Sequence, residues 1–111
     1  MGKILVLLNA GKEDPTRVRS GLGFAGVASQ RPDVDKVALI FFGNAVELLT
    51  DPEYVGTAEK FIERGVLTLA CQAHAEQKQI KDQLSQGPVT LKYVGEDIVR
   101  LINEGYQVVS F

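Results

Sequence analysis

The chain has 111 residues, of which 45% are hydrophobic and 23% charged, with a formal net charge of −2 and a single cysteine and a single histidine. Those totals describe one globular domain over residues 1–111 and exclude a disordered or fibrous chain. A mildly acidic balance supplies no basic face for nucleic acid or an anionic membrane surface, so neither partner is expected.

The apolar runs at 4–8 and 37–42 fall far short of the roughly 18 residues that span a bilayer. A strand-like run directly after Lys3, without a small-residue cleavage site, argues against a signal peptide. One cysteine cannot close an internal disulfide, which points to a reducing cytoplasm. One cysteine and one histidine would leave carboxylates to complete any metal site, so no metal is expected.

The first strand spans Lys3 to Asn9 and is apolar without alternation, the mark of a parallel strand covered on both faces. Asp14 and Pro15 suit the cap and first position of a helix running to about Gln30, where Pro32 ends it. Its inward stripe is Val18, Leu22, Ala25 and Ala28 or Ser29. The second strand, Lys36 to Phe42, breaks at Gly43-Asn44, and Ala45 to Leu49 forms a helical turn. Thr50 or Asp51 caps the next helix, which starts at Pro52 and stops at about Arg64 before Gly65.

Val66 to Ala70 is the third strand, running straight into Cys71-Gln72-Ala73-His74. Good helix formers from Ala73 to Leu84 predict one helix, ended by Gly87-Pro88. Thr90 to Val94 is a fourth strand and Gly95 a turn. Glu96 to Asn103 is a helix with Ile98, Leu101 and Ile102 inward, and Glu96 and Asp97 serve as acids at its N-terminus. Glu104-Gly105 precedes the last strand, Tyr106 to Phe111. Strands alternating with helices through short turns make an α/β fold of three α/β/α layers with a five-stranded, mainly parallel sheet.

In such sheets chemistry gathers at the carboxyl ends of the strands. Four segments meet there: Asn9 to Lys12, Gly43-Asn44, Cys71 to His74, and Val94 to Glu96. Cys71 lies where a strand ends and a helix begins, and the unpaired N–H groups of a helix start favour the thiolate, the nucleophilic form of cysteine. His74, one turn on, is placed to hydrogen-bond that thiolate or pass a proton. Lys12 is a second cation within reach of the edge. The Asn9-Ala10-Gly11-Lys12 turn lacks the glycine pattern of a nucleotide loop. The residues alone also fit an inert, buried Cys71 and a solvated His74.

With these segments in order, the chain resembles the DsrE/DsrF-like family of small sulfur-relay proteins along essentially its whole length. The resemblance rests on the opening strand with Asn9, on Phe41-Phe42-Gly43-Asn44-Ala45-Val46, on Val66-Leu67-Thr68-Leu69-Ala70-Cys71, and on the closing Gly105-Tyr106-Gln107-Val108-Val109-Ser110-Phe111. It implies a five-stranded sheet, homo-oligomers (trimers or hexamers), and a cysteine at position 71 that carries sulfur as a persulfide between donor and acceptor proteins.

The leading expectation is therefore a cytoplasmic sulfur carrier without a cofactor. Cys71 is the carrier and His74 its helper, and Asn9, Lys12, Gly43 and Asn44 line the ligand pocket. The alternatives are a non-catalytic small-ligand-binding or assembly subunit in which Cys71 only packs, and a redox sensor whose thiol pairs across an oligomer. Phe24, Tyr54 and Tyr106 are the expected oligomer contacts.

Overall fold

The computed structural model describes residues 2–111. Five strands form one sheet: β1 (Gly2–Leu8), β2 (Val34–Phe41), β3 (Leu67–Cys71), β4 (Thr90–Lys92) and β5 (Gln107–Ser110). Their order is β4-β3-β2-β1-β5 and every pairing is parallel. The non-alternating runs behave as their composition demands. Leu5, Val6, Ala38, Leu39 and Ile40 are wholly inaccessible to solvent, because helices cover both faces.

Four successive strands step the same way across the sheet, so right-handed crossovers put their connections on one face. The helix α1 (Pro15–Ser29) lies there, with Gly21 pressed onto Leu8 and Phe111. Asp14 caps α1 by accepting from the Arg17 N–H at 3.1 Å. A 3₁₀ segment (Gly43–Thr50) and α2 (Pro52–Glu63) follow β2, with Asp51 capping α2 through the Glu53 N–H. Two short helices, α3 (Gln72–Gln77) and α4 (Lys81–Ser85), join β3 to β4. The last helix, α5 (Gly95–Asn103), returns across the whole sheet on the opposite face.

Register fixes which side chains share a face. Leu8, Phe41, Ala70 and Leu91 are lateral partners on the α1 face. Alternation then places Cys71 and its partner Lys92 on the α5 face. There Lys92 Nζ reaches the Asp97 carboxylate of α5 at 3.1 Å.

Several expectations need correction. The single helix over 73–84 is two helices, because Gln79 adopts a positive φ of 61° and turns the chain. Its N–H bonds to Glu76 O and that of Ile80 to Ala75 O, the paired closure of a left-handed helix stop. The turn at 45–49 extends to an eight-residue 3₁₀ segment. Val94 is already helical in conformation and its carbonyl accepts from Ile98, so Gly95 belongs to α5 and β4 ends at Lys92.

On α5 the inward stripe is Val94, Asp97, Ile98 and Leu101. Ile102 faces outward and is 49% exposed, on the same side of the helix as Val99, which is 58% exposed. Tyr106 is buried and thus in the core. Phe24 packs partly on Phe111, ring centroids 5.8 Å apart. Tyr54 also packs against the core, which leaves Tyr93 as the exposed tyrosine.

Candidate functional site

The carboxyl edge is assembled by contacts between segments far apart in sequence. β1 ends under the chain terminus, where the N–H groups of Asn9 and Ala10 both bond to Phe111 O. The next residue, Gly11, lies in direct contact with the carbonyl of Asn44, the second residue of the 3₁₀ segment after β2. No side chain would fit between the two loops, and glycine is the one residue without a Cβ to clash.

Glu13 reinforces this junction. Its carboxylate accepts from the Gly11 N–H at 2.9 Å and from Asn44 Nδ2 at 3.2 Å. The Gly11 hydrogen bond, with help from Asn44 and the charge of Lys78, holds the Glu13 carboxyl below the usual range.

Lys78, just past α3, donates to Asn44 Oδ1 at 2.9 Å and to Glu47 Oε1 at 2.8 Å. The 3₁₀ segment is thereby tied to the β1 loop on one side and to the end of α3 on the other. Tyr93, after β4, extends the connections by donating to Glu76 of α3 at 2.9 Å. That hydrogen bond pushes the Tyr93 hydroxyl above its ordinary range.

Cys71 is the last residue of β3 and caps α3 without a side-chain hydrogen bond. It is free and buried, 4% exposed. Ala70 pairs with Phe41, so Cys71 and Phe42 are the residues that follow the last paired positions of β3 and β2, Phe42 lying just beyond its strand. The His74 ring stands edge-on to Phe42, centroids 4.6 Å apart and planes at 80°. Its Nδ1 accepts from the Gly43 N–H at 3.1 Å.

Among the expected site residues, then, Gly43, Asn44 and His74 are brought together beside the end of β3. Asn9 lies close to Gly43 but turns its amide back onto Leu7 O. Lys12 points elsewhere: its Nζ donates to Thr50 Oγ1 at 3.2 Å, at the far end of the 3₁₀ segment.

The six-residue α3 is shorter than the helix expected after Cys71. Its macrodipole is correspondingly slight, and local N–H groups are the main electrostatic resource for a thiolate there. Among the described residues no group of three His, Cys, Asp or Glu side chains gathers that could hold a metal ion. Nor, among the described residues, is any helix long and apolar enough to cross a membrane.

Glu13, Glu47 and Lys78 escaped the sequence reading, because each acts across 31 or more positions of sequence and carries no local signature. Phe42 was visible as the end of an apolar run, directly after the Phe41 that pairs with Ala70.

The opposite edge of the sheet differs. A cleft of about 460 Å³ opens at the amino ends of β2 and β3, lined among others by Ser29, Val34, Lys36, Arg64, Leu67 and Tyr106.

Comparison with known proteins agrees with this architecture. A solved structure of a conserved protein of unknown function from Bacteroides thetaiotaomicron superposes with a TM-score of 0.81 over 98% of this chain and 94% of its own. At 19% identity that likeness speaks for the fold. No curated protein matches the chain. The model of the DsrE/DsrF-like family matches residues 2–111, and by that match over its whole described length the chain belongs to the DsrE/DsrF-like family.

Proposed function

We propose that this protein is a cytoplasmic sulfur carrier in which Cys71 accepts sulfane sulfur and passes it on as a persulfide. Family membership suggests a role of the sulfur-relay type. The observation that carries the reading to a residue is the position of Cys71. It is the sole thiol of the chain, placed at the carboxyl end of β3 beside the loops that Gly43, Asn44 and His74 draw together. In α/β sheets that edge is where ligands meet the chain.

The chemistry requires only exchange. The Cys71 thiolate attacks the outer sulfur of a donor persulfide, R–S–SH. The donor's S–S bond breaks, R–S⁻ leaves with the electron pair, and Cys71–S–SH remains. Attack by an acceptor thiolate on the outer sulfur reverses the bookkeeping and regenerates the Cys71 thiolate. No cofactor enters either step. A thiol that is 4% exposed needs a small breathing motion of the α3 junction to meet a donor.

The carrier acts within a homo-oligomer, as a trimer or hexamer, and exchanges with donor and acceptor proteins. Exposed apolar side chains support this: Val99 and Ile102 on α5, and Leu67 and Val108 on the sheet face that α5 alone covers. Such positions are shielded most simply by a second copy.

Incubation with a sulfane donor followed by intact mass measurement tests the carrier. A gain of one sulfur atom in the native chain and none in Cys71→Ser is expected. No gain, or an equal gain in the variant, overturns the reading and favours a binding or assembly subunit with a packing cysteine.

A further inference from the structure

The state of His74 is set by a contact that leaves little freedom. Its Nδ1 accepts a hydrogen bond from the Gly43 N–H at 3.1 Å, across 31 positions of sequence. A ring nitrogen that accepts carries no proton, and a neutral imidazole has one N–H. The proton of neutral His74 therefore resides on Nε2. The ring's only free lone pair is spent on Gly43, and what it offers outward is a donor.

The donor side of this contact is itself held in place. Gly43 has a φ of +55°, a conformation that glycine adopts without strain. Asn44, the next residue, is anchored through Glu13 and Lys78. Phe42, the preceding residue, braces the imidazole edge-on. The Gly43 N–H is thus positioned by the two contacts of Asn44, which do not involve the ring it binds.

His74 also lies three residues past Cys71, in the first turn of α3. Cys71 ends β3, Phe42 follows the last residue of the adjacent β2, and His74 rests on Phe42. We infer that His74 serves the Cys71 edge as a neutral Nε2–H hydrogen-bond donor to an anionic sulfur group, the thiolate or the terminal sulfur of a persulfide, and not as the base that deprotonates the thiol. Gly43 is the positioning residue that sets its tautomer. This rests on the reading of Cys71 as a sulfur carrier and names the ligand chemistry His74 favours: small anionic sulfur species over neutral ones.

The chain's single histidine makes the tautomer directly observable in the full-length protein. Long-range ¹H–¹⁵N spectra of the neutral ring should show a protonated Nε2 and a bare Nδ1. Protonation at Nδ1, or two averaged nitrogens, overturns the inference.

Two variants separate the ring's two nitrogens. His74→Asn keeps an acceptor where Nδ1 lies and loses the Nε2–H, whereas His74→Gln keeps a donor near Nε2 and loses the Gly43 acceptor. The readout is the ratio of Cys71 alkylation rates with iodoacetate, an anion, and iodoacetamide, its neutral analogue. That ratio should fall about tenfold in His74→Asn, the worth of one charge-assisted hydrogen bond. In His74→Gln it should stay within about threefold of the native value, since a donor remains. An equal fall in both variants, or none in His74→Asn, overturns the inference. Neither measurement uses a sulfur donor, so failure of Cys71 to gain sulfur would sink the carrier reading and leave these results standing.

Discussion

The two edges of the sheet are built on different principles. At the amino edge the helix stops are made by local rules, and one side chain, Lys3, reaches across by donating to Glu104 O at 3.1 Å. Gly65 and Gly105 each take a positive φ after a helix, and the following N–H groups of Val66 and Tyr106 close back on Phe61 O and Leu101 O. Both of those closures lie within six residues. At the carboxyl edge the junctions are long-range: Gly11 on Asn44, Asn44 to Glu13, Lys78 to Glu47, and Gly43 to His74. The amino edge specifies the strand entries, while the carboxyl edge holds the loop after β1, the 3₁₀ segment and α3 in a mutual arrangement that all three must agree on. A site that positions a reactive sulfur needs the second kind of construction.

The sharpest way to break the carboxyl edge is at Gly11. A methyl group there would drive directly into the backbone carbonyl of Asn44, which has no flexible end to yield. Gly11→Ala is expected to cost about 3 kcal/mol, at the upper end for overpacking because two loops must separate. Urea denaturation followed by circular dichroism measures it. The same variant should uncouple His74 from Gly43, visible as a shift of the histidine ring nitrogens. A change below about 0.5 kcal/mol would mean that the loops are free to part and that the edge is not one unit.

This difference between edges also explains what the sequence makes legible. The parallel sheet follows from the uninterrupted apolar runs at 4–8 and 37–42, and helix caps at Asp14 and Asp51 stand where their side-chain chemistry puts them. Glycine stops at 65 and 105 are equally local signals. Cys71 at a strand–helix junction is readable for the same reason. The partners of Asn44 are not, because Glu13 and Lys78 arrive from loops whose approach depends on the finished sheet. Lys12 illustrates the converse error: a cation in the right loop, it bonds Thr50 instead of approaching Cys71.

Asp97 is the next test, because it ties the start of α5 to the carboxyl end of β4. Its side chain is 7% exposed and accepts from Lys92 Nζ and the Arg100 guanidinium, both at 3.1 Å. Burial alone would raise its carboxyl. The hydrogen bonds from Lys92 and Arg100 outweigh that and hold it below the usual carboxylate range. A carboxyl lowered on folding contributes stability that is complete above its unfolded value and is lost as pH falls through the folded one. Asp97→Ala should cost about 2 kcal/mol at neutral pH, since both cations keep access to water. Asp97→Asn should flatten the loss of stability on acidification, as read from denaturation midpoints between neutral pH and the acid limb. An unchanged pH profile in Asp97→Asn would show that other carboxylates dominate the acid limb.

Breaking the amino edge should be milder and purely local. At Gly105 a Cβ meets nothing within 4 Å, so the penalty of Gly105→Ala is conformational alone. A left-handed residue with a Cβ costs about 1 to 1.5 kcal/mol. Denaturation should show that loss while the histidine ring nitrogens and the reactivity of Cys71 stay at their native values. A perturbed Cys71 would mean that the two edges communicate through β5 and β1, contrary to their separate construction.

The smallest effect has the opposite sign and lies at the third helix stop, where the carboxyl edge borrows the amino edge's device without its residue. Gln79 takes the same left-handed place after α3 that glycine takes after α2 and α5, with Ile80 closing on Ala75 O just as Val66 closes on Phe61 O. Its side chain is exposed. This is why the helix-forming run from 73 to 84 reads as continuous: nothing in a glutamine announces a stop, and the turn is imposed by Ile80 packing against the core. Gln79→Gly removes about 1 kcal/mol of left-handed strain and gives back part of it as extra freedom of the unfolded chain. A net gain of about 0.5 kcal/mol is expected in the denaturation midpoint. A loss instead would show that the Gln79 side chain stabilises the turn, and that the break between α3 and α4 is more than a glycine stop made with the wrong residue.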